Sequence, residues 1–336
     1  DLTEGRGVRL AQIWERLRID EVFRFSAKDL FAIPRKIFGV RRVARQLREG
    51  QRPDRLYGLL DTKPLEKLVL DAIPWKGIRK NLAEDRVDAV CVAATQLATG
   101  RAVIFCEQKQ RCLPPWASQA NIRMQPIRLS PVHALASAAI PLLFPSVRVG
   151  ARYYADGGLR LNTPMAPAVR LGANRIMVIG LSHGVPPDVS EALAQQRTAG
   201  FGNPMFLFGK VLNALMLSPI DQDLARMHFI NQIIDNGEKV YGLDFLERMN
   251  EVTVEKTGRP LQRIQNLVIR PSEDLGMMAG QLVQSSHRGE LRLNAFMRMF
   301  VRASGTDPRE ADLLSYLLFD TAFTAPLAEL GYRDAA

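Results

Sequence analysis

The chain has 336 residues, 47% of them hydrophobic and 24% charged, and these ordinary globular proportions exclude a disordered or fibrous protein. Its 45 lysines and arginines against 35 acidic residues give a net charge of +10, which favours anionic partners such as phospholipid headgroups without selecting among them. Residues 205–220 form the longest apolar stretch, but Lys210 and Pro219 interrupt it, whereas a membrane span needs about 20 consecutive apolar residues. The composition predicts a packed core and no transmembrane helix.

Cysteine and histidine spacing argues against a disulfide framework and against a metal centre. The three cysteines, Cys91, Cys106 and Cys112, form no Cys-x-x-Cys pair, so we expect a reducing, cytoplasmic compartment with Cys91 in the core. None of the four histidines lies three or four residues from another. His133 heads a small-residue segment, where a capping or packing role is expected. No metal and no other cofactor is predicted.

The first hundred residues predict helices followed by two neighbouring strands. Residues 6–24 carry apolar side chains at helical spacing, and Asp61 and Thr62 precede Pro64 as the expected start of another helix. Nearly continuous apolar runs then predict strands over 87–94 and 101–106, separated by a turn at Gly100.

A strongly basic segment, residues 34–55, predicts a cationic surface helix ending near Gly50. Such a helix could touch an anionic membrane surface, although its thin apolar face favours a simple solvated helix. Nucleic acid is not expected as a partner, because no aromatic residues are interleaved with the basic ones. The cations that would make the peripheral membrane contact are Arg35, Lys36, Arg41, Arg42, Arg45 and Arg48.

Downstream of residue 130 the pattern predicts alternating helices and strands. A helix from Pro131, short strands over 146–150 and 152–156, and a helix over 164–173 precede buried strands at 174–180 and 264–270. Two helices broken near Pro219 are expected over 205–235, and further helices from Leu291 and Asp312. Because helices separate several of the strands, we expect a mostly parallel sheet.

The segment from Ala136 to Ser182 contains, in order, a small-residue helix, an Ile-Pro and a Phe-Pro pair, a strand, an Asp-Gly-Gly turn, Asn-x-Pro, and a helix ending in Gly-Ala before an apolar strand. In this order of features it resembles the patatin-like phospholipase family. The segments LLDTKPLEKLV and VCVAATQLATGRAVIF are also similar to the family, so the likeness covers about half the chain, with weaker echoes in LVIRPSEDLG and LLSYLLFDTAF.

The resemblance implies a three-layer α/β/α fold with a mostly parallel sheet, incomplete at its N-terminus, and with C-terminal helices. We expect residues 1–185 to be the C-terminal portion of an acyl hydrolase domain. Residues 186–336 would form a mostly helical region packed on that core, with the late strand near 264–270.

The resemblance also implies a serine–aspartate dyad without histidine, in which Asp156 is the aspartate. A serine hydroxyl is a weak nucleophile and needs a neighbouring base, here a carboxylate, which we expect in an exposed turn after a short strand. Gly157 and Gly158 would permit a sharp turn and leave the carboxylate uncovered, and Asn162 would bind the loop backbone. The alternative for Asp156 is an ordinary turn aspartate, since Asp-Gly is a favoured turn pair.

Family resemblance further implies a glycine-rich oxyanion loop and a Gly-x-Ser-x-Gly elbow, and neither occurs in residues 1–100. The chain opens on Asp1 rather than Met, so we expect a piece of a longer gene product whose nucleophile lies upstream. The elbow pattern does occur around Ser182, but Pro186 and Pro187 disfavour the helix that an elbow requires directly after its serine. Ser182 is therefore expected to be a loop serine at the end of a strand.

These observations predict an acyl hydrolase of the esterase or phospholipase type, acting on lipid esters without a cofactor. Two alternatives stay open. One is a catalytically inactive family member that binds lipid or a protein partner, which the sequence upstream of Asp1 would identify by a replaced serine. The other is an unrelated α/β hydrolase that uses Ser182, which Ser182→Ala would test.

Overall fold

A computed structural model of the protein describes residues 4–24, 43–109, 122–161, 164–184, 220–285 and 312–336, with single positions at 209, 211 and 214. Helices and strands alternate in these ranges, and the predicted α/β class is confirmed. Several sequence predictions lie outside the described residues, namely those for Arg35, Lys36, Arg41, Arg42, Cys112, Asn162 and the helix from Leu291.

The N-terminal part is helical, as predicted, but the helix expected over 6–24 is divided into two. The backbone of Arg18 is extended, and its N–H donates to the Glu21 carboxylate at 2.9 Å, which starts a new helix after the buried Leu17. Residues 43–48 of the basic segment are also helical. The bounds are α1 Glu4–Arg16, α2 Ile19–Val22, α3 Lys63–Ala72 and α4 Trp75–Ala83.

Five strands form the larger sheet in the order β3-β2-β1-β5-β4, which places β1 at its centre. Strands expected over 87–94 and 101–106 are present as β1 and β2, each displaced slightly toward the C-terminus. The bounds are β1 Ala89–Gln96, β2 Ala102–Gln108, β3 Ile122–Pro126, β4 Val147–Val149 and β5 Arg152–Asp156.

Strand direction in this sheet differs from the expectation of a mostly parallel arrangement, which is wrong here. β1 pairs antiparallel with both β2 and β5, β4 pairs antiparallel with β5, and only β2 and β3 run parallel. The connection from β1 to β2 spans residues 97–101 only, with Gly100 at a φ of 63°. Such a short link makes a hairpin, because a parallel crossover needs a dozen or more residues.

The apolar runs of β1 and β2 are nearly continuous because both faces of the larger sheet are covered, which gives a three-layer arrangement. Alternation along β2 sends Val103 and Phe105 to the face covered by α3, α4 and the helix α5, Pro131–Ser137. It sends Ile104 and Cys106 to the opposite face, where Met124, Leu161 and Leu171 pack. Buried strands of either direction therefore have the same apolar run.

A second, two-stranded sheet follows, and its strands match those expected at 174–180 and 264–270. β6 and β7 are parallel, with Met165, Ile220 and Leu224 packed on one face. The side chain of Asn231 exchanges two hydrogen bonds with the backbone of Ile264 and so ties a long helix to the start of β7. The bounds are α6 Gly158–Leu161, α7 Met165–Arg170, β6 Arg175–Ile179, α8 Ile220–Tyr241, α9 Phe245–Thr257 and β7 Gln265–Ile269.

The two ends of the chain share one hydrophobic cluster. Leu17 and Phe23 pack with Leu317 and Phe323, together with Phe144 from the middle of the sequence. The predicted division at residue 185 stays a prediction, and this cluster joins segments from both sides of it. The remaining bounds are α10 Leu275–Ser285, α11 Asp312–Ser315 and α12 Thr321–Ala335.

The longest helix in the described ranges carries charges at both of its ends. The longest, α8, contains Asp221 and Asp223 in its first turn and Lys239 in its last. Across the part of the chain that the structure describes, no helix combines the length and apolar character needed to cross a membrane.

Candidate active site

Asp156 is the last residue of β5 and lies beside the central strand of the larger sheet. Its backbone N–H donates to the carbonyl of Ala139 at 2.9 Å, and its own carbonyl accepts from the Thr95 hydroxyl at 2.9 Å. In register it faces Ala94 of β1. These contacts fix the main chain from two sides, so Asp156 is half-buried, and the expectation of an exposed turn is wrong.

The carboxylate of Asp156 is held close to its own backbone. Oδ1 accepts a hydrogen bond from the N–H of Gly158 at 2.7 Å. Burial raises the pKa of Asp156 to about 6, against the opposing effect of this hydrogen bond, which stabilises the charged form. Within the described ranges the carboxylate makes no ion pair, and no hydrogen bond engages Oδ2. One oxygen thus remains able to accept a proton.

Gly157 is required by a close approach of two backbones. Its N–H donates to the carbonyl of Ser137 at 3.3 Å, and a Cβ at this position would lie 2.7 Å from the carbonyl carbon of Ala93 and closer still to its oxygen. We expected Gly157 and Gly158 to allow a sharp turn, but neither has a positive φ. Gly158 is buried and starts the short helix α6. Gly157 therefore lets the Asp156 turn sit directly on β1.

Sequence reasoning missed the groups that hold this turn. They are the Thr95 hydroxyl and the carbonyls of Ser137 and Ala139, contributed by β1 and the end of α5. Backbone carbonyls leave no signal in a sequence. Thr95 did leave a signal in the sequence, because it is a polar residue within the apolar run of β1. In the structure it is buried, where a polar group needs a hydrogen-bond partner.

Ser182 lies in a different part of the structure. It follows β6 in a bend, is half-buried, and no hydrogen bond among the described residues joins it to Asp156. Its loop contacts β7 instead, since Gly180 N–H donates to Ile269 at 2.9 Å and His183 Nδ1 lies 3.0 Å from the carbonyl of Pro271. This placement suits a loop serine.

His133 has the capping and packing role predicted for it. Its Nδ1 accepts from the backbone N–H of Ser130 at 3.0 Å at the start of α5, and its ring lies 4.7 Å from that of Phe105. Burial lowers the pKa of His133, which favours the neutral ring. In the ranges that the structure describes, no group of three or more His, Cys, Asp or Glu side chains could hold a metal ion.

Two of the six cations expected to make the membrane contact are described. Arg45 and Arg48 are exposed, and Arg45 pairs with Glu49 at 2.6 Å one helical turn away. The pairing neutralises part of the local charge, since Glu49 carries the opposite sign.

Residues 10–169 match a family model described as patatin-like phospholipase. The matched range contains β1 to β5 and the whole turn from Asp156 to Gly158, whereas Ser182 lies beyond it. A search of curated proteins gave no matching relative.

Proposed function

Through residues 10–169 this chain belongs to the patatin-like phospholipase family, and on that premise we propose that Asp156 is the proton acceptor of a serine–aspartate dyad. The family supports lipid acyl hydrolysis as the general function, with a lipid ester as substrate. The single observation that carries the assignment is the geometry of Asp156: its backbone is held by hydrogen bonds, and its half-buried carboxylate has neither an ion pair nor a hydrogen bond to Oδ2 among the described residues.

Proton transfer is favoured by the environment of this carboxylate. An aspartate at its ordinary pKa near 3.9 is a weak base, whereas a pKa of about 6 for Asp156 brings it closer to neutral pH while leaving it mostly ionised. In the proposed first step a serine oxygen attacks the ester carbonyl and its proton moves to Oδ2, which passes that proton to the departing alcohol and leaves an acyl-serine. Water then attacks the acyl-serine while Asp156 accepts a proton from the water, and that proton returns to the serine oxygen as the carboxylic acid leaves.

We propose that the serine and its oxyanion loop are supplied by a segment upstream of Asp1. No glycine-rich loop and no Gly-x-Ser-x-Gly sequence occurs in residues 1–100, and the pattern around Ser182 lies on the other sheet. Because losing one oxyanion donor alone costs about 100- to 1000-fold in rate, residues 1–336 by themselves should show no ester hydrolysis above background.

The test compares p-nitrophenyl ester hydrolysis by the complete gene product and its Asp156→Asn variant. The amide is nearly isosteric and can still accept from Gly158, so the fold should persist while turnover is lost. Asp61→Asn is the matched control, because Asp61 also accepts the backbone N–H two residues ahead, at 3.1 Å from Lys63, but is exposed. Wild-type rates in Asp156→Asn would remove Asp156 from the dyad.

A catalytically inactive protein would give a different result in the hydrolysis test. If the complete protein has no serine in the expected elbow and hydrolyses nothing, the chain is a lipid- or protein-binding member of the family. Ester hydrolysis by residues 1–336 alone, abolished by Ser182→Ala, would instead make Ser182 the nucleophile.

Contact with a membrane surface through the basic segment is part of the same proposal. Arg48 is exposed, and Arg45 is exposed although paired with Glu49. Binding to vesicles that contain anionic lipid should weaken in an Arg45→Glu/Arg48→Glu variant and with rising salt, since the attraction is electrostatic. Unchanged sedimentation with the vesicles would contradict it.

A further inference from the structure

Two cysteines lie directly opposite each other on neighbouring strands at the centre of the larger sheet. Cys91 of β1 and Cys106 of β2 are Cα partners in the antiparallel register. Partner residues in a sheet project to the same face, so the two side chains are neighbours. The sequence pattern, with no Cys-x-x-Cys spacing, did not reveal this pair.

The hydrogen-bonding pattern shows which kind of partner position the two cysteines occupy. Gln96 N–H donates to Arg101 at 2.9 Å, which makes that pair hydrogen-bonded, and pairs alternate along the ladder, so Cys91 and Cys106 form a non-hydrogen-bonded pair. Consistently, the carbonyl of Cys106 points toward β3 and accepts from Ile127 at 2.9 Å.

That position has the backbone separation of a disulfide. Cα atoms of non-hydrogen-bonded antiparallel partners are about 4.5 Å apart, whereas hydrogen-bonded partners are about 5.5 Å apart. Disulfides form at Cα separations of about 4.4–6.8 Å. The strands can therefore be bridged at this position without a change of register.

The environment of the two thiols also allows the reaction. Cys91 is exposed, contrary to the expectation of a core residue, so an oxidant can reach it. Cys106, beside it on the neighbouring strand, is buried. A hydrogen bond between the thiols lowers the pKa of Cys106, whose thiolate accepts it, and raises the pKa of Cys91, which donates it. The pair therefore loses its first proton from Cys106.

We propose that Cys91 and Cys106 form a reversible intramolecular disulfide when the protein meets a disulfide oxidant such as glutathione disulfide. After the pair loses one proton, transfer of the other along the shared hydrogen bond leaves the thiolate on the exposed Cys91 sulfur. This sulfur attacks glutathione disulfide, a mixed disulfide forms, and one glutathione leaves as thiol. Cys106 then loses its proton and displaces the second glutathione.

The balance is two protein thiols and one glutathione disulfide giving one protein disulfide and two glutathiones. The new bond would lock β1 to β2 three positions from Ala94, the partner of Asp156 in the neighbouring pairing. The proposed disulfide therefore involves β1, the strand that supports the candidate catalytic turn. Its formation does not depend on the proposed activity.

The experiment equilibrates the chain in glutathione buffers of increasing oxidised fraction, blocks free thiols with an alkylating agent, and measures intact mass and peptide linkage. We expect two of the three thiols to become protected from alkylation, with Cys91 linked to Cys106. Dithiothreitol should make both thiols available for alkylation again. Cys112→Ser should behave like the wild type. Cys91→Ala and Cys106→Ala should each abolish the linkage.

An off-register variant sharpens the test. In Cys91→Ala/Val90→Cys the thiol moves by one residue to the other face of β1, where it faces Glu107, so it should not bridge to Cys106. Circular dichroism of each variant checks that the fold is retained. Three titratable thiols in the most oxidising buffer, a glutathione adduct without linkage, or a bridge to Cys112 would each overturn the proposal.

Discussion

The turn that carries Asp156 and the loop that carries Ser182 both follow a strand and both contain glycines, but they are built differently. The Asp156 turn is held by hydrogen bonds from β1 and to the end of α5, and its Gly157 has no room for a side chain. Among the described residues, the backbone of the Ser182 loop is hydrogen-bonded to Ile269 at the end of β7 and His183 reaches Pro271 just beyond it, and most residues of the loop are exposed. The Ser182 loop matches the elbow sequence pattern, but only the Asp156 turn has its backbone fixed by hydrogen bonds to several elements.

The two regions also differ in the free energy needed to keep their polar side chains in place. The rigid turn keeps a carboxylate half-buried against the cost of desolvation, which is why the pKa of Asp156 is raised. A site that strains one group must be stabilised by the groups around it. Four substitutions test this contrast, in order of decreasing expected effect.

Gly157→Ala should be the most damaging. The added Cβ meets the backbone of Ala93 in the centre of the sheet, which cannot retreat without breaking strand pairing, so we expect a loss of about 3 kcal/mol or more in the free energy of unfolding, measured in urea. Gly331→Ala is the control, because nothing lies within 4 Å of that helical site; it should gain about 0.5–1 kcal/mol. Equal midpoints for both variants would contradict the close approach at Gly157.

Asp156→Asn should stabilise the protein at neutral and alkaline pH. The folded pKa of about 6 lies above the ordinary value of 3.8, so between these values the folded state binds more protons, and wild-type stability from this residue falls as pH rises through that window. Above it the variant should be more stable by about 2–3 kcal/mol, an upper estimate, and the advantage should vanish below about pH 4. Urea unfolding at pH 4, 6 and 8 measures it; a variant less stable at pH 8 would contradict the burial of a charge.

Thr95→Val should cost about 1–2 kcal/mol in the free energy of unfolding. The change keeps the shape of the side chain but removes the hydroxyl that donates to the Asp156 carbonyl. Thr99→Val is the matched control, since Thr99 is exposed and only accepts a weak bond from Arg101 at 3.3 Å. If both variants unfold at the same urea concentration, the hydroxyl of Thr95 contributes nothing to the turn.

Ser182→Ala should change the free energy of unfolding by less than about 0.5 kcal/mol and leave ester hydrolysis by the complete protein unaltered. The reason is that no hydrogen bond among the described residues links Ser182 to Asp156. A loss of hydrolysis with intact stability would show that the two regions meet in one active site.

The sequence located four strands well because apolar runs indicate strands that pack on a core, although Met177 and Ile179 of β6 and Leu267 of β7 are exposed. β1, β2, β6 and β7 all fall within one or two residues of their expected ranges. The direction of pairing was not predictable from those runs, because a strand covered on both faces has the same composition in either arrangement. Only the short link over residues 97–101 contained that information.

The catalytic role of Asp156 stays a prediction from the resemblance, and the groups that hold its turn could not be predicted. Asp156 and Gly157 followed from the resemblance, yet the need for glycine comes from the position of Ala93, a contact across the sheet that no local pattern encodes. The Cys91–Cys106 pair could have been found, since folding the sequence back about the turn at 97–101 places the two cysteines opposite each other.

The cluster that joins the two ends of the chain sets an order of folding. Leu17 and Phe23 reach their final environment only after Leu317 and Phe323 have been synthesised, so during translation earlier members of the cluster such as Phe144 can cover these side chains only in part. Pairing of β1 with β2 needs only a short loop closure and can come early. Docking of α1 on α12 closes the longest loop in the described structure, which makes it a late step and the point at which a folding intermediate is most prone to aggregate.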